Sequence, residues 1–365
     1  MGARHRHGNE RPEGTGEFLF NDCHVHLTNY VQQGTDARNF LELMGNRVGS
    51  SVLFGIPLQQ TWSHRISGDR PPTYYLSSDA PLYYYSFTDA FIAQQYLGLA
   101  PEQRERLYPM ITGFNPADMY GVEHIRRVLE TYPGVFVGIG EFTIHKEFVS
   151  GKIAGDVPSL LDPALDRILD FAEETGLLVL LHNDMATPFP KQGDPPAYFD
   201  QLKALFRRHA GATLVWAHGG VGRVVHPVEN HLAALAHFLE DPALSHLHVD
   251  LSWSEVAKYV VSSPDVVERT AAFVEKHQDR FLFGTDEVAP TKLPDYLAVY
   301  RTYEPLWQRL SPEASEKVRR TNCVRLLEAA KTRVRAWEEQ HLARRGAARP
   351  LVGGAGRQAT TADRP

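Results

Sequence analysis

Short apolar runs alternate with longer amphipathic segments eight times along this chain, and that recurrence limits the fold more than any other feature. The runs predict strands over 18–26, 51–56, 108–114, 135–141, 177–182, 213–218, 247–251 and 280–285. The segments between them predict helices over 36–47, 87–107, 122–131, 163–175, 198–209, 228–239 and 266–277, with further helix to about residue 340. Strands that are apolar almost throughout suit a parallel sheet covered on both faces. Eight such units are the count of a (β/α)8 barrel, and His24 to Asp286 spans about the 250 residues that this fold needs. The expectation is an α/β protein, a single TIM-barrel domain over 16–340 with disordered tails at 1–15 and 341–365. A doubly wound open sheet is the competing architecture, but no Gly-x-Gly-x-x-Gly follows the first strand. The long connection over 57–85 is rich in Tyr, which argues for an ordered loop.

Catalytic groups of such barrels sit at the C-terminal ends of the strands. Polar residues close five of the eight here: His24 and His26 the first, Glu141 the fourth, His182 the fifth, His218 the sixth and Asp286 the eighth. Strict alternation puts Asp22, His24 and His26 on one face of the first strand. It likewise groups Val137, Ile139 and Glu141, then Leu178, Leu180 and His182, then Leu214, Trp216 and His218, and last Leu282, Gly284 and Asp286. Each residue also has a structural reading: His182 as a hydrogen-bonded core histidine, Asp286 as a cap or turn residue, Glu141 as a partner of Lys146. Six such groups at one barrel mouth are costly to bury together, and a divalent cation removes that cost. Two other His-x-His pairs, His5 with His7 and His246 with His248, are set aside, because the first lies in a polar tail and the second opens its apolar run.

With 43% hydrophobic and 22% charged residues, composition is that of an ordinary globular protein. A formal charge of -6 with both signs dispersed leaves no basic footprint for nucleic acid. No run approaches a membrane span, and 1–17 lacks the apolar core of a signal peptide, so a cytoplasmic location is expected. Cys23 and Cys323 are read as buried small residues, not as a disulfide framework. The expected partner is a small-molecule substrate, with no nucleic acid and no membrane, and assembly into a homo-oligomer stays open.

The residues Asp22-Cys23-His24-Val25-His26, Gly140-Glu141, Leu181-His182, Ala217-His218-Gly219-Gly220, Gly284-Thr285-Asp286 and Asn322-Cys323-Val324-Arg325-Leu326-Leu327, in this order, resemble the amidohydrolase superfamily, in particular its amidohydrolase-2 branch. The resemblance implies a divalent metal held by His24, His26, His182 and Asp286, with His218 binding a second metal or polarising substrate. Many members bridge two metals with a carboxylated lysine on the fourth strand. Glu141 stands there in this chain, as in TatD-like deoxyribonucleases, so a bridging glutamate is compatible and the count stays at one or two ions, zinc first and manganese second.

The chemistry so implied is metal-assisted hydrolysis of an amide, ester or lactone, with Asp286 moving the proton of the attacking water and His218 stabilising the oxyanion. A metal-dependent non-oxidative decarboxylase of an aromatic or unsaturated acid is the first alternative. A non-catalytic metal-binding barrel is the second, and it conflicts with the closed geometry usual for structural zinc. Arg223 and Trp253 are the candidates for substrate contact, together with the loop tyrosines Tyr74, Tyr75, Tyr83, Tyr84 and Tyr85, the alternatives being a loop that packs on itself and, for Arg223, a surface arginine at a helix start. His64, Arg65, His145, Lys146 and Lys191 fall on mouth loops and receive no role. Asn322 is read first as an N-cap, the alternative on the resemblance being a structural support.

Overall fold

The computed structural model describes residues 18–191 and 193–348. Eight parallel strands follow one another round a sheet in chain order: β1 Phe20–Asp22, β2 Val48–Leu53, β3 Leu107–Ile111, β4 Gly138–Thr143, β5 Leu178–His182, β6 Thr213–Trp216, β7 Leu247–Leu251 and β8 Phe281–Phe283. The first and last strands meet, with the Cys23 N–H donating to the Phe283 carbonyl at 3.1 Å. Beyond their ends Glu287–Val288 pairs in parallel with Val25–His26. The sheet is thus a nearly closed barrel, and helices lie between successive strands as the eightfold pattern predicts. The tail expected at 1–15, and residues 349–365 of the tail expected at 341–365, lie outside the described residues. The last helix, Asn322–Ala348, runs past the domain end expected at 340.

Helix Pro163–Thr175 shows how the sequence sets these elements. Pro163 opens it where no N–H is needed, and Gly176 closes it in the left-handed conformation (φ 77°) with its N–H on the Ala172 carbonyl. Leu165, Ile168, Leu169 and Ala172 form its buried stripe. The helix expected over 87–107 is two pieces, Phe87–Leu97 and Pro101–Arg104. The physical cause is Gly98 followed by Pro101, which cannot donate within a continuing helix. The 57–85 connection is ordered, its strands Leu58–Gln60 and Leu82–Tyr84 pairing antiparallel.

Side-chain facing departs from strict alternation at three of the five strand ends. In β5 it holds: Leu178 and Leu180 line the barrel interior, and His182 follows at the mouth. In β8, Leu282 lines the interior and Gly284 lies against His24, because a Cβ there would come within 2.6 Å of the His24 Cβ. In β1 the strand breaks after Asp22. Cys23 points to the barrel floor with Cys323, and Asp22 turns to Thr285 and Tyr296, so Asp22 and His24 share no face.

In β4, Gly138 pairs with the interior residue Met110, so alternation alone would send Glu141 outward. The register slips between Ile139 and Phe142, which reverses facing. Gly140 permits the slip: its φ is +118°, and a Cβ would lie 2.1 Å from the Leu180 carbonyl oxygen. In β6 it is Val215 that lines the interior, while Trp216 packs outward on Phe206 and Phe238. His218 reaches the mouth through a left-handed turn (φ 58°, ψ 9°).

Asp22 ties the first strand to the end of the eighth. Its carboxylate accepts from the Thr285 N–H (2.8 Å), the Thr285 hydroxyl (2.7 Å), the Tyr296 hydroxyl (2.7 Å) and the His24 N–H (3.1 Å). Asn322 is a second strut and not an N-cap, donating to the carbonyls of Gln278 (2.7 Å) and Phe281 (2.9 Å). Asp22→Ala strands buried donors that cost about 1–3 kcal/mol each, so urea denaturation of this variant is expected to show a loss of roughly 3 kcal/mol or more. Tyr296→Phe, which removes one donor, is expected to lose about 1 kcal/mol.

His248, buried in β7, supplies a pH test. Burial, with Arg280 and Arg325 adding repulsion, lowers its pKa to about 4. The folded state therefore binds its proton less readily than the unfolded chain. The resulting stability is complete above about pH 6.5 and is lost as pH falls through 4. His248→Asn is expected to show a smaller drop in urea-unfolding free energy between pH 7 and pH 4.5 than the parent protein.

Candidate metal centre

Four residues from three strand ends converge at the mouth. The Nε2 atoms of His24 and His26 each lie 3.2 Å from Asp286 Oδ1. Glu141 Oε2 stands 3.2 Å from His26 Nε2 and 3.7 Å from His24 Nε2. All four residues are buried.

Hydrogen bonds at the far sides of the rings decide which nitrogen carries the proton. His24 Nδ1 bonds Asp250 Oδ2 at 2.9 Å, and His26 Nδ1 bonds the Gly55 carbonyl at 3.2 Å. Both partners only accept, so Nδ1 is the donor and Nε2 presents a lone pair to the carboxylates. His218 is fixed by a relay. The Ser252 hydroxyl donates to Asp250 Oδ1 (2.6 Å) and so accepts from His218 Nδ1 (2.8 Å), which leaves His218 Nε2 bare, 3.5 Å from Asp286 Oδ2.

Lone pairs facing anionic oxygens at these distances repel unless a proton or a metal ion lies between them. Among the described residues, the buried Nε2 atoms of His24 and His218 have no hydrogen-bond partner. The donor set, imidazole nitrogens and carboxylate oxygens with their outer sides hydrogen-bonded, suits zinc or manganese. The residues therefore fit a divalent metal.

Electrostatics point the same way. Burial opposes ionisation of Glu141, but Lys146 and His182 outweigh it and hold this carboxyl well below the usual range. Asp286 behaves alike, with His24 and His26 overcoming its burial. Burial also opposes charge on His24, yet Asp286 and Asp250 raise its pKa. The carboxylates thus draw positive charge to one spot. His218 is the exception: burial lowers it to about 3, so its ring stays neutral.

His182 differs from its expected place. Glu141, and not His182, completes the tight cluster with His24, His26 and Asp286. His182 lies between two carboxylates, Nδ1 2.6 Å from Glu141 Oε1 and Nε2 3.1 Å from Asp184 Oδ1. With Glu141 and His218 it forms a neighbouring group of ligand atoms within 4.8 Å of one another.

Trp253 stands beside the centre, its ring 5.3 Å from that of His218. Arg223 lies over the Trp253 face at 5.4 Å and is ion-paired with Glu255 at 2.5 Å. Of the loop tyrosines, Tyr75 is buried in a side core with Tyr30, Ile56 and Leu82, so it packs the loop. Tyr74 reaches Arg223, hydroxyl to Nη2 3.3 Å, and Tyr83 is exposed.

Sequence reasoning missed Asp250, Ser252 and Asp184, and it named Lys146 only as a partner of Glu141, a pairing the structure shows at 3.4 Å. Asp250 carried a signal, a carboxylate within the apolar run Leu247–Leu251. Lys146 carried none beyond its spacing from Glu141. Its ammonium is buried, 3.4 Å from Glu141 Oε1 and 5.6 Å above the Trp253 ring.

The Amidohydrolase family model matches residues 22–329. Among curated proteins none matches the sequence. Similar solved structures include an uncharacterized TIM-barrel protein from Bordetella bronchiseptica (16% identity, 85% of this chain and 99% of that one, TM-score 0.52). An amidohydrolase from Burkholderia multivorans with bound zinc is another (14% identity, 85% and 99%, TM-score 0.51). A third is an apo protein from Agrobacterium tumefaciens (13% identity, 87% and 98%, TM-score 0.50). At these identities the structures share the fold. The family match, running from the strand that carries His24 to the last helix, shows that the chain belongs to the amidohydrolase family.

Proposed function

We propose that the protein is a metal-dependent hydrolase that breaks a C–N or C–O bond of a small substrate, an amide, ester or lactone. One observation carries this reading: Asp286 offers Oδ1 to the lone pairs of His24 and His26 and Oδ2 to that of His218. His24, His26, Glu141 and Asp286 would hold the ion, for which zinc is proposed on the donor set and on the zinc bound by the Burkholderia multivorans neighbour. A divalent ion supplies a lowered pKa for an attached water and polarises the scissile carbonyl.

The chain's own groups then handle the proton. Asp286 takes it from the attacking water and passes it to the leaving group, while the His218 ring, its Nε2 3.5 Å from Asp286 Oδ2, stays neutral. The oxyanion role expected of His218 needs an N–H at Nε2, whereas the Ser252 relay places it on Nδ1. Asp250 orients both rings, through His24 Nδ1 and the His218 backbone N–H (2.9 Å). Trp253 walls the site beside His218 and excludes water from that side.

Decarboxylation is the second reading, and a specific observation favours it. Lys146 and Arg223 both place their cations over Trp253, where a carboxylate on the substrate would find them. Each cation already has a carboxylate partner, Arg223 with Glu255 and Lys146 with Glu141, which a substrate carboxylate would share.

Chelation is expected to abolish turnover of whichever member of a panel of lactones, amides, esters and aromatic acids is accepted. Asp286→Asn is expected to lower turnover by a factor of about 10²–10⁴, as for loss of a general base. Full activity of metal-stripped protein would exclude metal-assisted hydrolysis. Turnover in ¹⁸O-labelled water separates the two readings, since hydrolysis puts solvent oxygen into the product. Release of carbon dioxide with a solvent deuteron on carbon and no oxygen uptake would establish the second.

A further inference from the structure

The two oxygens of Glu141 serve different neighbours. Oε2 faces His26 (3.2 Å) and His24 (3.7 Å) in the metal-ligating cluster. Oε1 is taken by His182 Nδ1 (2.6 Å) and by the Lys146 ammonium (3.4 Å). That second oxygen is where a bridging carboxylate would meet a second ion. The other ligands for one are present, since Glu141, His182 and His218 bring their ligand atoms within 4.8 Å of one another.

Lys146 is not there by chance of a long side chain. Its backbone N–H donates to Ser150 Oγ (2.9 Å), whose hydroxyl donates to the Ile144 carbonyl (3.0 Å). The next N–H, of Glu147, is held by Asp184 Oδ2 at 2.8 Å. The backbone is thus pinned on both sides of Lys146, and the side chain is buried with its charge against Glu141 and the Trp253 face. A divalent ion on Oε1 would have to share this oxygen with a buried ammonium of like sign.

We propose that Lys146 fills the charge position of a second ion, so that the centre holds one divalent cation, ligated by Glu141 through Oε2. This rests on the metal-site reading above. Lys146 is then a positioning residue: it fixes which Glu141 oxygen ligates and keeps the His182–His218 group free of metal.

Metal content of full-length protein, saturated with Zn²⁺ and freed of loose metal, tests the proposal by elemental analysis and calorimetric titration. The parent protein is expected to hold one ion per chain, Lys146→Arg one, and Lys146→Met two, the second taken up at the Glu141, His182 and His218 group. Two ions in the parent, or one in a folded Lys146→Met variant, would overturn it. No ion in the parent would remove the underlying metal reading instead. Should Lys146→Met fail to fold, Co²⁺-substituted parent protein decides by electron paramagnetic resonance. An isolated high-spin signal supports a lone ion, and a spin-coupled pair contradicts it.

Discussion

Imidazole lone pairs aimed at buried carboxylate oxygens are the constraint on which the rest of this molecule depends. His24 and His26 each direct Nε2 at the same oxygen of Asp286, and Glu141 comes within reach of both. Left without positive charge between them these groups would be expensive to bury, so the barrel mouth is built for a cation. The outer partners of the rings keep it so. Asp250 and Gly55 hold the Nδ1 protons of His24 and His26, and the lone pairs cannot turn away.

The barrel serves this constraint by bringing the ends of its chain-order sheet together. Asp22 is central to that closure, gathering donors from Thr285, Tyr296 and His24, which places His24 beside Asp286. The Asp286 N–H in turn donates to the His24 carbonyl at 2.6 Å. Ligands from opposite ends of the sequence are therefore neighbours by main-chain pairing, not by side-chain reach alone. Around them, the Glu141 and Asp286 carboxylates face the histidine Nε2 atoms, the buried Lys146 ammonium lies between Glu141 and the Trp253 ring, and Arg223 lies over that ring.

Much of this was legible in the amino-acid order. Eight apolar runs predicted eight strands, and the polar residue at the end of five of them predicted which side chains would gather at one mouth. The route by which they arrive was not legible. Alternation accounts for His182, but Glu141 depends on a slip in β4 and His218 on a left-handed turn after Trp216, and neither leaves a period in the sequence. Gly140, Gly219 and Gly220 were the available hints, since glycine tolerates the conformations these turns need. Lys146 was legible as a partner of Glu141 but not as a buried one. A lysine five residues beyond a strand reads as a solvated loop residue, and only the pinned backbone turns it inward.

The central claim is that one divalent ion sits where the Nε2 atoms of His24 and His26 meet the carboxylates of Glu141 and Asp286. Anomalous diffraction from crystals of zinc-loaded protein tests it most directly. The account predicts a single anomalous peak at the barrel mouth, about 2.0–2.2 Å from those four side chains. A peak elsewhere, or one ligated by neither His24 nor His26, would contradict it.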